Sequence, residues 1–575
     1  MRTGRRMGHG GMLIALMGLL VLAGGAAGAA VDLGPDLVLF NGKIVTMDGR
    51  SSVVEALAVK DGRFVTVGSA REVLVLATPR TQRVDLRGRA VIPGLYDTHN
   101  HMLSTGIARR RVDLSRARSI QDVLDAVAAR VRASRPGEWI VASGGWHEGL
   151  LRERRFPTRE EIDRVAPNNP VYIPRGGHNA VVNSLAFKLA GITKDTASPG
   201  GGGVFVKDVR TGELTGHVIG EPAFSRILRL IPPLPQPELV EILREVTALY
   251  NAAGITSVID PGLRTPHELR AYQAAWQQGK LTVRVNAMIR IEPRAISAEE
   301  AIRRIDQWWV STGFGNDMLR ISGIKMSLDG GVETGYMREP YAHFDDPQHP
   351  RGIQSFPTEA LKQVVLAAAQ RGWQVGIHNV GDAAIDSFLE AMEFVDRQVS
   401  LKGRRFTLIH GMMARPEQLQ RVKALDLVVT GQHALNYRLT GGFLRYWGPE
   451  RAARSIPFRW FLDAGLTVGA GTDSPVGPYD PFLAMWGMVT RQTAAWGARG
   501  PEQRVTVAEA LRMYTTGSAY VAFEEGVKGS IEPGKLADLV VLSDDLLTVP
   551  TDRIKDVKPV KTMLGGRWVY EAPGS

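Results

Sequence analysis

The sequence contains no cysteine in its 575 residues. This absence excludes disulfide bonds, thiolate metal ligands and a cysteine nucleophile, and it is compatible with an exported protein. A transition-metal site in this chain would have to use imidazole and carboxylate-type ligands.

Outside the amino terminus, charge of one sign is not concentrated in any long segment. The formal net charge is +11, but acidic residues interrupt the densest basic segments, residues 109–118 and 152–155. No nucleic-acid recognition motif accompanies this charge, so we expect no nucleic-acid partner. The composition, with 44% hydrophobic and 22% charged residues, is that of a globular protein long enough for a large core.

Long apolar runs are rare, and the clearest one lies at the amino terminus. Residues 12–26 are apolar, follow an arginine-rich start and lead into small residues. That order predicts a secretory signal peptide over residues 1–29, cleaved near Ala29 or Ala30. The run is shorter than the about 20 residues of a membrane span, so an uncleaved anchor is the less favoured alternative. We therefore expect a periplasmic or secreted protein without a stable membrane anchor.

Both ends of the remaining chain read as short strands. Residues 36–90 contain alternating apolar runs, with hairpin signals at Asn41-Gly42 and Asp61-Gly62, and the last 50 or so residues have the same character. We predict one small β-sandwich domain built from residues 31–92 and 523–575.

The middle of the chain repeats a different pattern, in which a short apolar run is followed by a helical stretch. Eight such runs occur, at residues 91–101, 255–262, 281–291, 319–330, 373–382, 406–411, 427–433 and 466–475. Nearly continuous apolar strands that alternate with helices indicate a parallel sheet, and eight units indicate a closed (β/α)₈ barrel. We predict this α/β barrel over residues 93–522, with a large insertion, about residues 104–250, after the first strand.

Polar residues fall at the carboxyl ends of these predicted strands, where such barrels place their active sites. They are His99 and His101 on the first strand, Lys325 on the fourth, His378 on the fifth, His410 on the sixth and Asp473 on the eighth. A single histidine at such a place is more often hydrogen-bonded core, but a lysine is rarely buried without a partner. Together the residues predict a site for zinc or a similar divalent ion.

The segments that carry these residues resemble a known family. "VIPGLYDTHNHM", "IKMSLDGG", "VGIHNVGDAAID", "LIHG" and "GTDSPV" are similar to successive signatures of the amidohydrolase superfamily. "GGWHEGLL" and "GSIEPGKLADLVVL" resemble the branch that includes the N-substituted formamide deformylases. The resemblance covers nearly all of the mature chain.

The resemblance implies a site for two metal ions, although one ion is also compatible with it. It places His99, His101 and Asp473 on the more buried metal, and His378 and His410 on the outer one. It also implies that Lys325 bridges the two after its amine has captured carbon dioxide as a carbamate. The chain departs from the family at Asn100, where the family has an apolar residue, so we expect Asn100 to need a hydrogen-bond partner in the helix layer.

The implied chemistry is hydrolysis of a small-molecule substrate by a metal-activated hydroxide, with Asp473 as general base and then acid. His178 is a candidate for binding the substrate or its developing oxyanion, or else a structural loop histidine. Trp146 and His147 could line the pocket or belong to the core, and residues 331–337 could face the substrate.

The favoured function is cleavage of a carbon–nitrogen bond in an amide, formamide or cyclic amide. A deaminase or an ester or carbamate hydrolase could use the same residues. A non-catalytic exported binding protein is less favoured, because all six ligand positions are filled. The sequence leaves the substrate and the formation of a homo-oligomer open.

Overall fold

The structure is a computed structural model that describes residues 33–176, 178–200, 203–291, 297–343 and 349–574. The predicted signal peptide lies outside these residues. Within the described ranges, every helix is too short or too polar to cross a membrane.

The described chain begins with strands that form two sheets. They are β1 (Leu37–Phe40), β2 (Lys43–Val45), β3 (Val53–Val54), β4 (Ala56–Lys60), β5 (Arg63–Gly68), β6 (Gln82–Asp85) and β7 (Ala90–Pro93), with α1 (Ala70–Leu74) between β5 and β6. A two-residue turn at Asp61-Gly62 joins β4 to β5, and both turn residues have positive φ, at 49° and 75°. Positive φ at both positions is what a tight hairpin turn requires, which is why glycine follows the aspartate.

The first barrel strand follows β7 almost at once, so the run at residues 91–101 is divided between two sheets. β7 belongs to a terminal sheet, and β8 (Leu95–Asp97) belongs to the barrel. Gly94 lies at the division, where a Cβ atom would come within 2.2 Å of the Thr256 hydroxyl oxygen. Glycine is needed there because the chain passes so close to the neighbouring strand.

A long insertion with its own sheet follows β8. Its elements are α2 (Met102–Arg110), α3 (Ile120–Arg132), β9 (Ile140–Val141), α4 (Arg159–Val165), β10 (Val171–Arg175), β11 (Asn179–Val182), α5 (Ser184–Leu189), β12 (Val204–Lys207), β13 (Leu214–Ile219) and α6 (Glu221–Leu228). The five strands are ordered β12-β13-β11-β10-β9 and separate two apolar clusters of their own. α2, by contrast, packs into the barrel's core cluster, so the independent part of the insertion begins after it.

The remaining barrel strands are all parallel to β8. They are β14 (Ile255–Leu263), β15 (Arg284–Arg290), β16 (Leu319–Ser327), β17 (Val375–Asn379), β18 (Thr407–His410), β19 (Val428–Gly431) and β20 (Val468–Ala470). They run in sequence order around an eight-stranded sheet. The backbone N–H of Thr98 donates to the carbonyl of Ala470 at 3.0 Å, and that of Asp473 donates to the carbonyl of His99 at 2.7 Å. These bonds bring the last strand against the first, and the predicted barrel is confirmed.

Helices cover the outside of the barrel. They are α7 (Gln236–Ala252), α8 (Pro266–Gln277), α9 (Ala298–Asp306), α10 (Thr358–Gln370), α11 (Asp382–Asp396), α12 (Pro416–Ala424), α13 (His433–Trp447), α14 (Pro449–Ala453), α15 (Phe458–Asp463), α16 (Pro481–Thr490), α17 (Val507–Met513) and α18 (Thr516–Val521). Because both faces of the sheet are buried, its strands are rich in apolar residues.

The carboxyl-terminal strands return to the sheets at the start of the chain. β21 (Leu539–Leu542), β22 (Pro559–Leu564) and β23 (Arg567–Glu571) extend a six-stranded sheet ordered β23-β22-β21-β7-β2-β3. The other strands at the start of the chain form a four-stranded sheet ordered β5-β4-β1-β6. Its Leu39 and Leu57 share one apolar cluster with Ile44, Val91 and Leu539 of the larger sheet. Residues from both ends of the chain therefore form a common core.

A buried polar network fills the barrel near the amino ends of β14 and β15, away from the predicted site. Lys528 Nζ lies 2.8 Å from Glu524 Oε2 and donates to Ser257 Oγ at 3.1 Å. The same Glu524 oxygen accepts hydrogen bonds from Tyr96 at 2.8 Å and from Asn286 at 2.7 Å. The carboxylate and the ammonium are both almost inaccessible to water, so the ion pair compensates two buried charges, with Arg320 Nη1 a further 3.8 Å from Glu524 Oε1.

We expect Lys528→Met to lower the free energy of unfolding by about 3–5 kcal/mol, because it leaves the Glu524 charge buried with less compensation. Lys561→Met removes a half-exposed pair with Glu571 and should cost less than about 1 kcal/mol. Denaturant titration of both variants measures the difference. Equal losses would mean that the buried network does not stabilise the barrel.

Candidate metal centre

The segment after β8 is held in place by the buried carboxylate of Asp97. Its Oδ1 accepts the backbone N–H of His99 at 3.1 Å and that of Thr472 at 3.0 Å, and its Oδ2 accepts the Thr472 hydroxyl at 2.5 Å. Burial raises the pKa of Asp97 to about 6, although these hydrogen bonds oppose that change. Asp97 thus ties the end of the first barrel strand to the loop that carries Asp473.

Asn100 faces away from the histidines, as expected from its position between them. Its amide donates to Asp97 Oδ2 at 2.8 Å, and its carbonyl oxygen accepts the hydroxyl of Tyr250, on α7, at 2.5 Å. A polar residue is tolerated at this buried place because the helix layer supplies a polar partner.

His99 and His101 fall just after β8 rather than within it, yet both imidazoles reach the same carboxylate. His99 Nε2 lies 3.4 Å and His101 Nε2 lies 3.2 Å from Asp473 Oδ1. His99 Nδ1 is buried without a hydrogen-bond partner. The three residues form a compact group of two imidazoles and one carboxylate, with their ligand atoms all within 4.8 Å of one another.

His378 and His410 come from the carboxyl ends of β17 and β18, and their ring centroids lie 4.6 Å apart. His378 Nε2 donates to the carbonyl of Gly330 at 2.9 Å, which leaves its Nδ1 with a lone pair. His410 Nδ1 donates to Gln432 Oε1 at 2.5 Å, which leaves its Nε2 with a lone pair. Such hydrogen bonds fix the tautomer and the ring orientation of metal-binding histidines.

The backbone is strained at two of these positions. His410 has a φ of 68° and Asp473 a φ of 55°, both in the left-handed region that L-residues seldom adopt. Such conformations persist where the surrounding structure requires them, and they cluster at functional sites.

Lys325 lies on β16 with 2% of its surface exposed. Burial, and next the charge of Lys325, hold the pKa of His99 well below its usual range. The pKa of His378 is lowered in the same way by burial and by the neighbouring His410 and Lys325. Lys325 therefore interacts electrostatically with histidines on both sides of it.

The protonation states suit metal binding. Burial lowers the pKa of His410 to about 4, so the imidazole is neutral at physiological pH. Burial opposes ionisation of Asp473, but its hydrogen bond with His101 and its interactions with His410 and Lys325 outweigh this, so the pKa of Asp473 is lowered. Neutral imidazoles and an ionised carboxylate are the donors that divalent transition metals require. The residues present fit a metal centre.

A cleft of about 1490 Å³, including the part open to solvent, leads to this group. All six predicted ligand residues line it, as do His178 and Gly331 to Glu333 from the segment after the fourth strand. The His178 ring centroid lies 5.4 Å from that of His378. The structure therefore brings His178 to the wall of the cleft beside the predicted ligands.

Trp146 and His147 are buried away from the cleft lining. Trp146 belongs to an apolar core of the insertion, and its Nε1 donates to the carbonyl of Pro174 at 2.9 Å. Nδ1 of His147 accepts the backbone N–H of Gly149 at 2.9 Å. Of the two alternatives for these residues, the structure favours the core.

A buried ionic cluster joins the insertion to the barrel beside the cleft. Arg175 on β10 contacts Glu148 Oε2 at 2.9 Å and donates to Glu333, whose other oxygen accepts the Asn179 amide at 3.1 Å. Sequence reasoning did not identify this cluster, because its members lie up to 185 positions apart and no motif connects them.

Sequence reasoning also missed residues that hold the ligands. Asp97 stands two positions before His99, and Gln432 directly follows the seventh strand. Their positions at strand ends offered a signal, but only the fold shows that Gln432 reaches His410 from the next strand.

The fold and the site define a barrel enzyme that depends on divalent metal. A family model described as "Amidohydrolase family" matches residues 82–570. The chain therefore belongs to the amidohydrolase family and is an enzyme that acts on carbon–nitrogen bonds.

The similarity to individual relatives extends over most of their length. The chain is 30% identical over 550 residues to the N-substituted formamide deformylase of Arthrobacter pascens, covering 94% of this chain and 99% of the relative. An uncharacterized metal-dependent hydrolase from Pyrococcus horikoshii OT3 shares the fold with a TM-score of 0.71 and 26% identity, over 90% of this chain and 99% of that one. The corresponding values for an uncharacterized metal-dependent hydrolase from Pyrococcus furiosus are 0.68 and 26%, with 89% and 100% covered.

Proposed function

We propose that this protein hydrolyses the carbon–nitrogen bond of an amide, formamide or cyclic amide. The observation that carries the proposal is the convergence of four histidines, a buried lysine and an ionised carboxylate from five barrel strands on one cleft. The similarity to a formamide deformylase over nearly the whole chain supports this substrate class.

We propose that the residues hold zinc or a similar divalent ion, in one or two copies. His99, His101 and Asp473 would hold one ion, His378 and His410 would hold a second, and Lys325 would bridge them as a carbamate. When bound, such ions polarise a carbonyl group and lower the pKa of water to near neutrality. A carbamate is an anion with two donor oxygens, whereas a cationic lysine cannot bind a metal.

Asp473 is the residue placed to move protons. Its carboxylate is buried, ionised and shared between His99 and His101, and it lines the cleft. A carboxylate there can take a proton from water and deliver it to the departing nitrogen, which would otherwise leave as an unstable anion.

We assign His178 to binding the substrate carbonyl as it becomes negatively charged. We expect His178→Ala to lower kcat about 10²–10³-fold, as loss of an oxyanion donor typically does, without changing the metal content. Steady-state kinetics and metal analysis test this, with His267→Ala, an exposed histidine on α8, as control. An unchanged kcat would show that His178 is a structural loop residue.

The proposed activity is tested by assaying the purified, metal-loaded enzyme on matched formamides, amides, cyclic amides, amino-substituted heterocycles and esters. We expect the enzyme to hydrolyse formamides, amides and cyclic amides, and to lose this activity when a chelator removes the metal. Preferential deamination or ester cleavage would assign the site to a different reaction. Metal binding without turnover of any class would favour a binding protein.

We also propose that the protein is exported and works outside the cytoplasm. The proposal rests on the order of charged, apolar and small residues at positions 1–29. Amino-terminal sequencing of the mature protein tests it, since cleavage should expose a residue near Ala30.

A further inference from the structure

The lining of the cleft, as far as the structure describes it, contains more arginines than carboxylates. Among the described residues that line it, the arginines are Arg111, Arg175, Arg264 and Arg290, and the carboxylates are Glu333 and Asp473. Glu333 is bound by Arg175, and Asp473 is held by the histidines. Neither carboxylate is paired with Arg111.

Among these arginines, Arg111 most clearly lacks a paired carboxylate in the described part of the chain. It directly follows α2 and is partly buried. No carboxylate among the described residues pairs with it, and the group that interacts with its charge is the Tyr172 phenol. Burial lowers the pKa of Arg111, because it removes the guanidinium from water without supplying an anion.

The preceding residue, Arg110, is paired with a carboxylate, as a surface arginine often is. Arg110 is exposed on the same helix, and its Nε and Nη2 donate to the two carboxylate oxygens of Glu245 at 3.1 and 2.6 Å. Arg110 thus has a counter-ion on the surface, whereas Arg111 lines the cleft. A guanidinium shielded from water is normally paired with an anion.

The lining of the same cleft also contains a set of apolar side chains. Ala108, Phe224 and Leu228 line the cleft on the side of the insertion, and Leu435 and Leu439 line it from α13. An apolar wall with an uncompensated guanidinium suits a ligand that has a hydrocarbon body and an anionic end. The planar guanidinium can bind a carboxylate through two parallel hydrogen bonds.

We propose that Arg111 binds a carboxylate of the substrate, so that the enzyme acts on acylated or formylated amines that carry an apolar body and a carboxylate away from the bond that is cleaved. This inference rests on the proposed function of the metal centre, because it names the class of substrate that this centre would receive. Arg111 determines specificity and takes no part in bond cleavage.

The test uses N-formyl ω-amino acids of increasing chain length and N-formyl alkylamines of the same lengths, which lack the carboxylate. With metal-loaded wild-type enzyme, we expect KM at the best chain length to be at least about tenfold lower for the acid than for its neutral counterpart, as for a hydrogen bond to a charged group. Arg111→Met should remove this preference and leave the kcat of the neutral series unchanged. Arg111→Lys keeps the charge but not the paired N–H donors of the guanidinium, so it should retain part of the preference for the acid. Arg110→Met should retain all of this preference.

The outcomes separate this inference from the proposed function. Hydrolysis of both series with equal KM, or a preference that survives in Arg111→Met, would overturn the role of Arg111 and leave the proposed function intact. If neither series is hydrolysed, the formamide activity is wrong, and calorimetric titration with hexanoate and hexanamide tests Arg111. A hexanoate Kd at least about tenfold weaker in Arg111→Met than in Arg110→Met supports the inference, and an equal Kd overturns it.

Discussion

Asp473→Asn is expected to reduce kcat about 10²–10⁴-fold or more, below the level that a routine assay detects, while part of the metal stays bound. Asparagine has nearly the same shape and retains an oxygen that can approach a metal. It cannot accept a proton at neutral pH, so it cannot pass one to the departing nitrogen. The loss should therefore appear in turnover rather than in folding.

The measurement combines kcat, metal content per chain and thermal unfolding for the same preparation. Asp463→Asn is a matched control, because Asp463 is an exposed carboxylate that pairs with Arg459 on a helix surface. It should retain full activity. Full activity in Asp473→Asn would rule out the acid–base role, and loss of all metal would show that the residue acts mainly as a ligand.

The barrel and the convergence of its site were predictable from the sequence because both follow from local patterns. Apolar runs mark buried parallel strands, and His378 and His410 stand at the ends of such runs. Once the strands are parallel and in sequence order, their carboxyl ends must meet. The parallel barrel therefore accounts for the grouping of the predicted ligand residues at one end of the sheet.

What could not be predicted depends on contacts between distant segments. Arg175 and Glu333 are 158 residues apart, and nothing in either local sequence specifies the other. The sheet of the insertion contains antiparallel strands and two cores of its own, whose order the strand pattern alone does not determine. Arg111 was visible only as part of a basic segment, and its lack of a carboxylate partner emerges when the insertion packs against the barrel.

The second large effect is expected from Lys325→Ala. Metal affinity should fall at least about 10–100-fold, which is the usual effect of losing a residue that supports a metal ligand. The kcat should fall with it. The reason is electrostatic as well as geometric. An unmodified, charged lysine at this buried position would oppose cations, whereas its carbamate would attract two of them. To serve as the proposed bridge, the amine would have to lose a proton and bond to carbon dioxide.

The barrel offers a matched control in Lys528, a second buried lysine, which lies at the opposite end and is paired with Glu524. Lys528→Met should destabilise the fold yet bind metal as the wild type does, which separates loss of a ligand from loss of stability. Short carboxylic acids should partly restore metal binding and activity to Lys325→Ala, because they can occupy the space of the missing carbamate. Metal content in Lys325→Ala equal to that of the wild type would exclude a bridging carbamate and would leave the four histidines and Asp473 as the complete ligand set.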